Sequence, residues 1–355
     1  MTSAAAPGIS VIIPAYNAEA TLAKALASVC ASEGVSFEVL VLNDASTDAT
    51  ESIAREYPCR VVTLERNIMS ANCRNLGAEL ARGETLVFFD ADQVMRPDTL
   101  RRYREELDAH PGVAAVVGCL APDTPMPGFF SRFKNFLHHY THQTAEVEGA
   151  TLASGLAAVR RDVFLALGGF EPAFSGASIE DIALGYRMRR AGHRIRFVPG
   201  IQMVHLKGYT LGSLIRSDIL HRAVPWTGLM LRERVFRNDL NTRGGNVASV
   251  LFAWLVPPAL LAWAVGWRPW GLAVAGAALS GIWWANAGFL RAGARAFGSG
   301  FALRAAAFLP AMYFYHGIGL LAGLLVYLRG GSVAASRERP RPRYRVSEGV
   351  QPEGR

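Results

Sequence analysis

The sequence predicts an α/β domain followed by hydrophobic helices, and three observations carry that reading. Apolar runs of strand length alternate with helical patterns through the first hundred residues. Those runs end in polar or turn-forming residues, and acid all but vanishes from 247–328. Continuous β-branched runs separated by amphipathic helices indicate a parallel sheet buried on both faces.

Residues 9–13 form the first run, which ends at Pro14, and Leu22, Leu26 and Val29 then share one helical face. Residues 37–42 are the second run. A helical pattern over 47–57 follows, for which Ser46 or Thr47 makes a good cap. The runs at 60–64 and 85–89, with a helical stretch at 71–81 between them, repeat the alternation. Residues 155–159 and 195–198 read as further strands flanking a helix over 181–191. Ligands of such sheets bind outside the carboxyl ends of the strands. That points to Pro14-Ala15-Tyr16, Asn43-Asp44 and Asp90-Ala91-Asp92.

The character changes after His205. Leu211, Ile215 and Ile219 lie on one helical face while Arg216, His221 and Arg222 lie elsewhere. Trp226, Leu229, Met230, Arg232 and Arg234 continue the mixture, as expected of interfacial helices over 206–240. Residues 247–267 and 272–290 are each long enough to span a bilayer, and 301–328 is longer but interrupted by Arg304 and Pro310. Two or three transmembrane segments over 247–328 follow, with Trp263, Trp267 and Trp270 suited to an interface belt. Three full crossings would export the arginine-rich tail, whereas two and a re-entrant segment would keep it inside, and the sequence leaves both open. Residues 329–355 are rich in Arg and Pro and read as a disordered tail.

Composition agrees with the division. Hydrophobic residues at 51% and charged residues at 19% are too apolar for a soluble enzyme and too polar for a chain embedded throughout. The net charge of +8 could suit nucleic acid, but many arginines flank the hydrophobic segments (Arg216, Arg222, Arg232, Arg234, Arg237) or sit in the tail (Arg337, Arg339, Arg341, Arg343, Arg345). Anionic lipid headgroups explain that placement, and nucleic acid is not the expected partner. Cys30, Cys59, Cys73 and Cys119 form no CxxC pair, which fits reduced thiols and indicates neither a zinc ribbon nor a disulfide framework. The first residues are too short and uncharged for a signal peptide, so the domain over 1–205 is expected in the cytoplasm, at the inner face of a multi-pass membrane protein.

The chemistry-bearing residues follow the strands. Asp90 and Asp92, one residue apart at a strand end, can hold a divalent cation such as Mg2+ or Mn2+ and reach a ribose, with substrate phosphates completing the metal's shell. A solvated turn is the plain alternative. Asp44 can accept a hydrogen bond from a nucleobase, and Arg74 can stack on a base or meet a phosphate, unless it is an ordinary surface arginine. Glu180-Asp181 opens a helix behind the Gly/Ser-rich stretch 175–178. Helix capping accounts for an acid there, and so does a general base kept ionised by the helix dipole.

Seven stretches in order, VIIPAYNA, VLNDASTDAT, RNLGAELARG, FFDAD, GGFEP, the Glu180-Asp181 pair and VHL, cover roughly 9–205. Together they resemble the family 2 glycosyltransferases of the GT-A fold, a Rossmann-like nucleotide-diphospho-sugar transferase fold. The resemblance implies that Pro14, Ala15 and Tyr16 line the nucleotide pocket, Asp44 holds the base, Arg74 supports base or diphosphate, and Asp90 faces the ribose. It implies Asp92 and His205 as metal ligands, and Asp181 as catalytic base with Glu180 beside it at the acceptor site. Asn43 replaces the first acid of the family's usual Asp-Asp pair. Of the Q-x-x-R-W motif of processive synthases, 221–226 keeps only Trp226, which marks the acceptor region and argues against long-chain polymerisation. The Glu180-Asp181 pair separates the chain from polyprenyl-phosphate sugar synthases, whose phosphate acceptor needs no base. The expected activity is inverting, metal-dependent transfer of one sugar from a nucleotide-sugar donor, UDP-linked by resemblance, to a lipid or lipid-linked hydroxyl. A processive synthase and a polyprenyl-phosphate transferase are the alternatives, and a non-enzymatic membrane protein is the least favoured.

Overall fold

A computed structural model describes residues 7–171, 179–234, 244–330 and 342–350. The expected Gly/Ser-rich stretch at 175–178, and Arg237, Arg337, Arg339 and Arg341, lie outside the described residues. The chain divides into two compact units. One holds 7–126, 145–207 and 342–350, and the other holds 127–144 and 208–330 among the described residues.

In the first unit the alternation foreseen in the sequence is present. β1 (Ile9–Ala15), α1 (Leu22–Cys30), β2 (Phe37–Asn43), α2 (Thr50–Arg55), β3 (Arg60–Leu64), α3 (Ser70–Leu80) and β4 (Thr85–Phe89) succeed one another. β2, β1 and β4 are buried almost from end to end, as strands covered on both faces must be. Then come β5 (Gln93–Met95), α4 (Thr99–Ala109), β6 (Val113–Leu120), α5 (Phe129–Gln143), β7 (Glu148–Gly149), β8 (Leu156–Arg160), α6 (Arg161–Ala166), α7 (Glu180–Arg190) and β9 (Arg194–His205). α5 belongs to the second unit, and the others to the first.

The sheet is mixed rather than wholly parallel. β1 pairs in parallel with β2 and β4, and β2 with β3, but β8 runs antiparallel between β4 and β6, and β5 antiparallel to β9. Apolar runs report burial and not strand direction, so the sequence could not distinguish the two. The carboxyl ends of β1, β2 and β4 still lie together, as parallel pairing requires.

The second unit contains α5, α8 (Leu211–Arg216), a π-helical turn at Ser217–Ala223, α9 (Val224–Glu233), α10 (Gly244–Ala264), α11 (Trp270–Ala285), α12 (Ala287–Phe297) and α13 (Ser299–Leu328). Its core gathers Phe133 and Phe136 from α5 with Ile282, Phe289, Leu309 and Met312. α10 and α13 are long and apolar enough to cross a membrane, and α11 and α12 form a pair bent by 62°. Pro310 does not interrupt α13, contrary to the expected break. Within this apolar unit Lys134 and Asp218 form a buried ion pair, and Tyr315 donates to Asp218 Oδ2 at 3.0 Å.

The tail departs from expectation. Composition predicts disorder throughout 329–355, yet β10 (Tyr344–Glu348) pairs antiparallel with β3 and forms one end of the sheet. Arg345 donates twice to Glu51, at 2.8 and 2.9 Å, which offsets the low apolar content of the strand. An exposed sheet edge offers a row of unpaired backbone groups, and that demand outweighs composition here.

Candidate active site

The site forms where β1, β2, β4 and β9 end. The loops after β1 and β2 are stitched together: Asn17 N–H donates to Ser46 Oγ at 3.0 Å, Thr47 N–H to Asn17 Oδ1 at 2.9 Å, and Ala18 N–H to Thr50 Oγ1 at 2.7 Å. Ser46 and Thr47 therefore tie loops together instead of capping α2, whose first turn begins at Thr50. This leaves Tyr16, 54% exposed, at the rim beyond the partly buried Pro14 and the buried Ala15. An exposed ring at a strand end is free to pack on a flat ligand.

Asp44 is buried, and its two oxygens accept the Ile68 N–H at 2.7 Å and the Met69 N–H at 3.0 Å. It thereby holds the turn into α3, where Met69 takes a positive φ of 72°. Burial raises its carboxyl above the ordinary range, although those two amides pull the other way. Each carboxylate oxygen has a second acceptor direction, so this structural duty is compatible with a base contact.

Arg74 is turned away from the surface. Its Nη2 donates to Asp90 Oδ1 at 2.6 Å and its Nη1 to Glu180 Oε1 at 3.2 Å, while its guanidinium lies 5.9 Å from the Phe170 ring centroid. The neighbouring Asn75 exchanges two 2.8 Å hydrogen bonds with the Phe170 backbone, which explains how GGFEP meets α3. Glu180 is buried, and its Oε2 has no hydrogen-bond partner among the described residues. Burial, then the neighbouring Asp181, push its carboxyl up to about 7 against the pull of Arg74. Asp181 is held differently, with Oδ2 accepting the Ser154 N–H at 3.0 Å and Oδ1 the Ile182 N–H at 2.8 Å.

Asp92 and His205 meet across the antiparallel β5–β9 pair, with His205 Nε2 3.5 Å from Asp92 Oδ1. No group of three or more His, Cys, Asp or Glu that could hold a metal occurs among the described residues. An oxygen donor and a nitrogen donor side by side still fit a divalent cation whose remaining positions are filled by diphosphate. Trp226 lies in the second unit, buried in α9.

Sequence reasoning missed Gly155 and Ser154. A Cβ at Gly155 would collide with Asp90 Oδ2, so only glycine leaves room for that carboxylate. The preceding amide at Ser154 orients Asp181. The only sequence signal was the Ser-Gly pair just before a strand.

The family model described as "Glycosyl transferase family 2" matches residues 10–168, a span that includes β1, the Arg74 helix and Asp90-Ala91-Asp92. Over those residues the chain is similar to the family 2 glycosyltransferases. It is similar to the succinoglycan biosynthesis protein ExoO of Rhizobium meliloti, 38% identical over 31% of this chain and 32% of that one. It is also similar to validoxylamine A glucosyltransferase of Streptomyces hygroscopicus subsp. limoneus, 30% identical over 52% of this chain and 49% of the relative. This chain thus spans about a third of the first of these curated relatives and about half of the second. Among solved structures, the mannosyltransferase PcManGT of Pyrobaculum calidifontis, in complex with GDP-Man and Mn2+, superposes with a TM-score of 0.57. That match is 23% identical and covers 92% of this chain and 88% of that one. S. aureus TarS 1-349 in complex with UDP-GlcNAc gives a TM-score of 0.50 at 17% identity, over 91% of this chain and 92% of that one. At such identities the likeness is one of fold, and that fold is GT-A.

Proposed function

We propose that the domain transfers a single sugar from a nucleotide-diphosphate sugar, UDP-linked, to a hydroxyl of a lipid or lipid-linked acceptor at the cytoplasmic membrane face. The observation that supports this reading best is the gathering of four carboxylates at the strand ends in two differently held pairs. Asp90 and Asp92 stand on the donor side. Glu180 and Asp181 stand at the start of α7, with Asp181 oriented by two backbone amides.

In this mechanism Tyr16, with Pro14 and Ala15, forms the wall of the nucleotide pocket, and Asp44 accepts from the base. Asp90 faces the ribose. Asp92 and His205 would hold a divalent cation, which when bound neutralises charge on the leaving diphosphate. Asp181 takes the proton of the acceptor hydroxyl as that oxygen bonds to the anomeric carbon. The bond from that carbon to the diphosphate oxygen breaks, its electron pair leaves with the nucleoside diphosphate, and the configuration inverts. Membrane-length helices in the same chain, and the basic residues of α8 and α9, support a lipid-anchored acceptor and anionic lipid around it.

The test is transfer by the full chain in membranes, with labelled nucleotide sugars and a lipid extract. Mass spectrometry of the product should show one added hexose-class residue on a lipid. A long polymer would favour a processive synthase instead, and release of label only to water would count against the lipid acceptor.

A further inference from the structure

The geometry points to Arg74 as a positioning residue that keeps the start of α7, and with it Asp181, in register with Asp90, without itself touching the nucleotide. This rests on the reading of Asp181 as the base. Arg74 comes from α3, Asp90 follows β4 and Glu180 is the first residue of α7, so one side chain joins three elements. Its side chain is 5% exposed, which leaves almost no surface for a phosphate or a base. A planar guanidinium can serve two carboxylates from opposite edges at once, whereas a lysine ammonium is a single point charge on a flexible stem. Glu180 is clamped by Arg74 while Asp181 is clamped by the Ser154 amide, and together the two clamps fix the helix start in direction as well as position.

Arg74→Lys separates this role from a nucleotide contact. The expected result is a fall in kcat on the order of 10²-fold, the cost of a small misplacement of reacting groups, with the nucleotide dissociation constant by calorimetry changed far less, because a lysine can keep the pair with Asp90 and lose the one with Glu180. In an Asp181→Asn background, Arg74→Lys should add little further loss, because no base remains to be positioned. Weakened nucleotide binding with kcat retained, or fully additive losses in the double variant, would overturn the assignment. Wild-type chain that transfers no sugar from any donor would instead overturn the functional reading beneath it. Should Arg74→Lys not fold, Glu180→Leu, which offers Arg74 no acceptor, cuts the same link from the other end and is read in the same double-variant comparison.

A second inference stands on β10 alone. Its backbone pairs with β3 from Tyr344 opposite Leu64 to Glu348 opposite Arg60, so the chain ends up in the sheet it began in. Among the described residues, every helix of membrane length lies between Lys207 and Tyr344. Strands that share hydrogen bonds cannot lie on opposite faces of a bilayer. We infer that the chain crosses the membrane twice, an even number, and that the turn around Trp267 after α10 faces the side opposite the sheet. At about 1.5 Å per residue the 21 residues of α10 reach about 31 Å, enough for one crossing. Three crossings would place β10 on the wrong face.

Single substitutions Trp267→Cys and Tyr344→Cys in the full chain, labelled with a membrane-impermeant maleimide before and after lysis, test this. Cys30 of the sheet unit serves as the reference. Position 267 should label from the face opposite to Cys30, and position 344 from the same face. Position 344 labelling opposite to Cys30, or 267 labelling with it, overturns the inference. An epitope tag after Arg355 on the otherwise unaltered chain, challenged with external protease, gives a readout independent of either substitution: protection until lysis is expected, and cleavage in intact cells overturns it.

Discussion

His205 Nε2 lies 3.5 Å from Asp92 Oδ1, although the two residues stand far apart in the chain. The antiparallel pairing of Gln93 with His205 creates this proximity, since it brings the end of the last long strand to the residues just after β4. A carboxylate and an imidazole so placed suit one hard cation whose other ligands come from substrate.

Asp92→Ala should therefore abolish turnover and weaken donor binding in the presence of metal while the protein still folds. The measurement is transfer with and without chelator, beside calorimetric donor binding. Turnover that persists in excess chelator removes the metal from the mechanism.

Asp181→Asn keeps the size of the side chain and an acceptor for the Ser154 N–H. It cannot take a proton at neutral pH, so kcat should fall on the order of 10²–10⁴-fold with donor affinity unchanged. A phosphate acceptor is already an anion and would be indifferent to the change. Near-normal kcat would refute the base and the hydroxyl acceptor together.

Glu180 predicts a pH dependence of stability. Its carboxyl is raised by burial from 4.5 to about 7 in the folded state. Between those values the folded protein holds a proton that the unfolded chain does not, so this group's contribution is complete below pH 4.5 and is lost as pH rises to about 7. Glu180→Gln should flatten the melting temperature over that interval. An unchanged slope would show that Glu180 titrates normally.

Asp218 behaves in the opposite sense. Burial opposes its charge, but Lys134, then His316, hold its carboxyl well below the usual range, so its contribution is present above the unfolded value and lost as pH falls. Lys134→Met would leave a buried, half-compensated carboxylate, at a cost of about 3–5 kcal/mol. Tyr315 still donates to Asp218, which favours the lower end. Thermal unfolding in detergent checks this, and a variant as stable as wild type would mean that the pair is solvated.

Local pattern alone determined a good deal here. The alternation of buried runs and amphipathic segments, the polar residues after Ile13, Leu42 and Phe89, and the acid-free stretch from 247 were sufficient to read an α/β domain with apolar helices behind it. These features depend on side-chain periodicity and composition, which a sequence displays directly. Strand direction, the β10–β3 edge and the inward turn of Arg74 were decided only in three dimensions. The last two depend on what another part of the chain leaves unsatisfied: an open row of backbone donors and acceptors at β3, and the carboxylates of the half-buried Asp90 and the buried Glu180. Tyr344–Glu348 is polar enough to look unstructured, and Arg74 is charged enough to look exposed. Both are ordered because a buried charge or a bare sheet edge costs more than the ordering of the group that satisfies it.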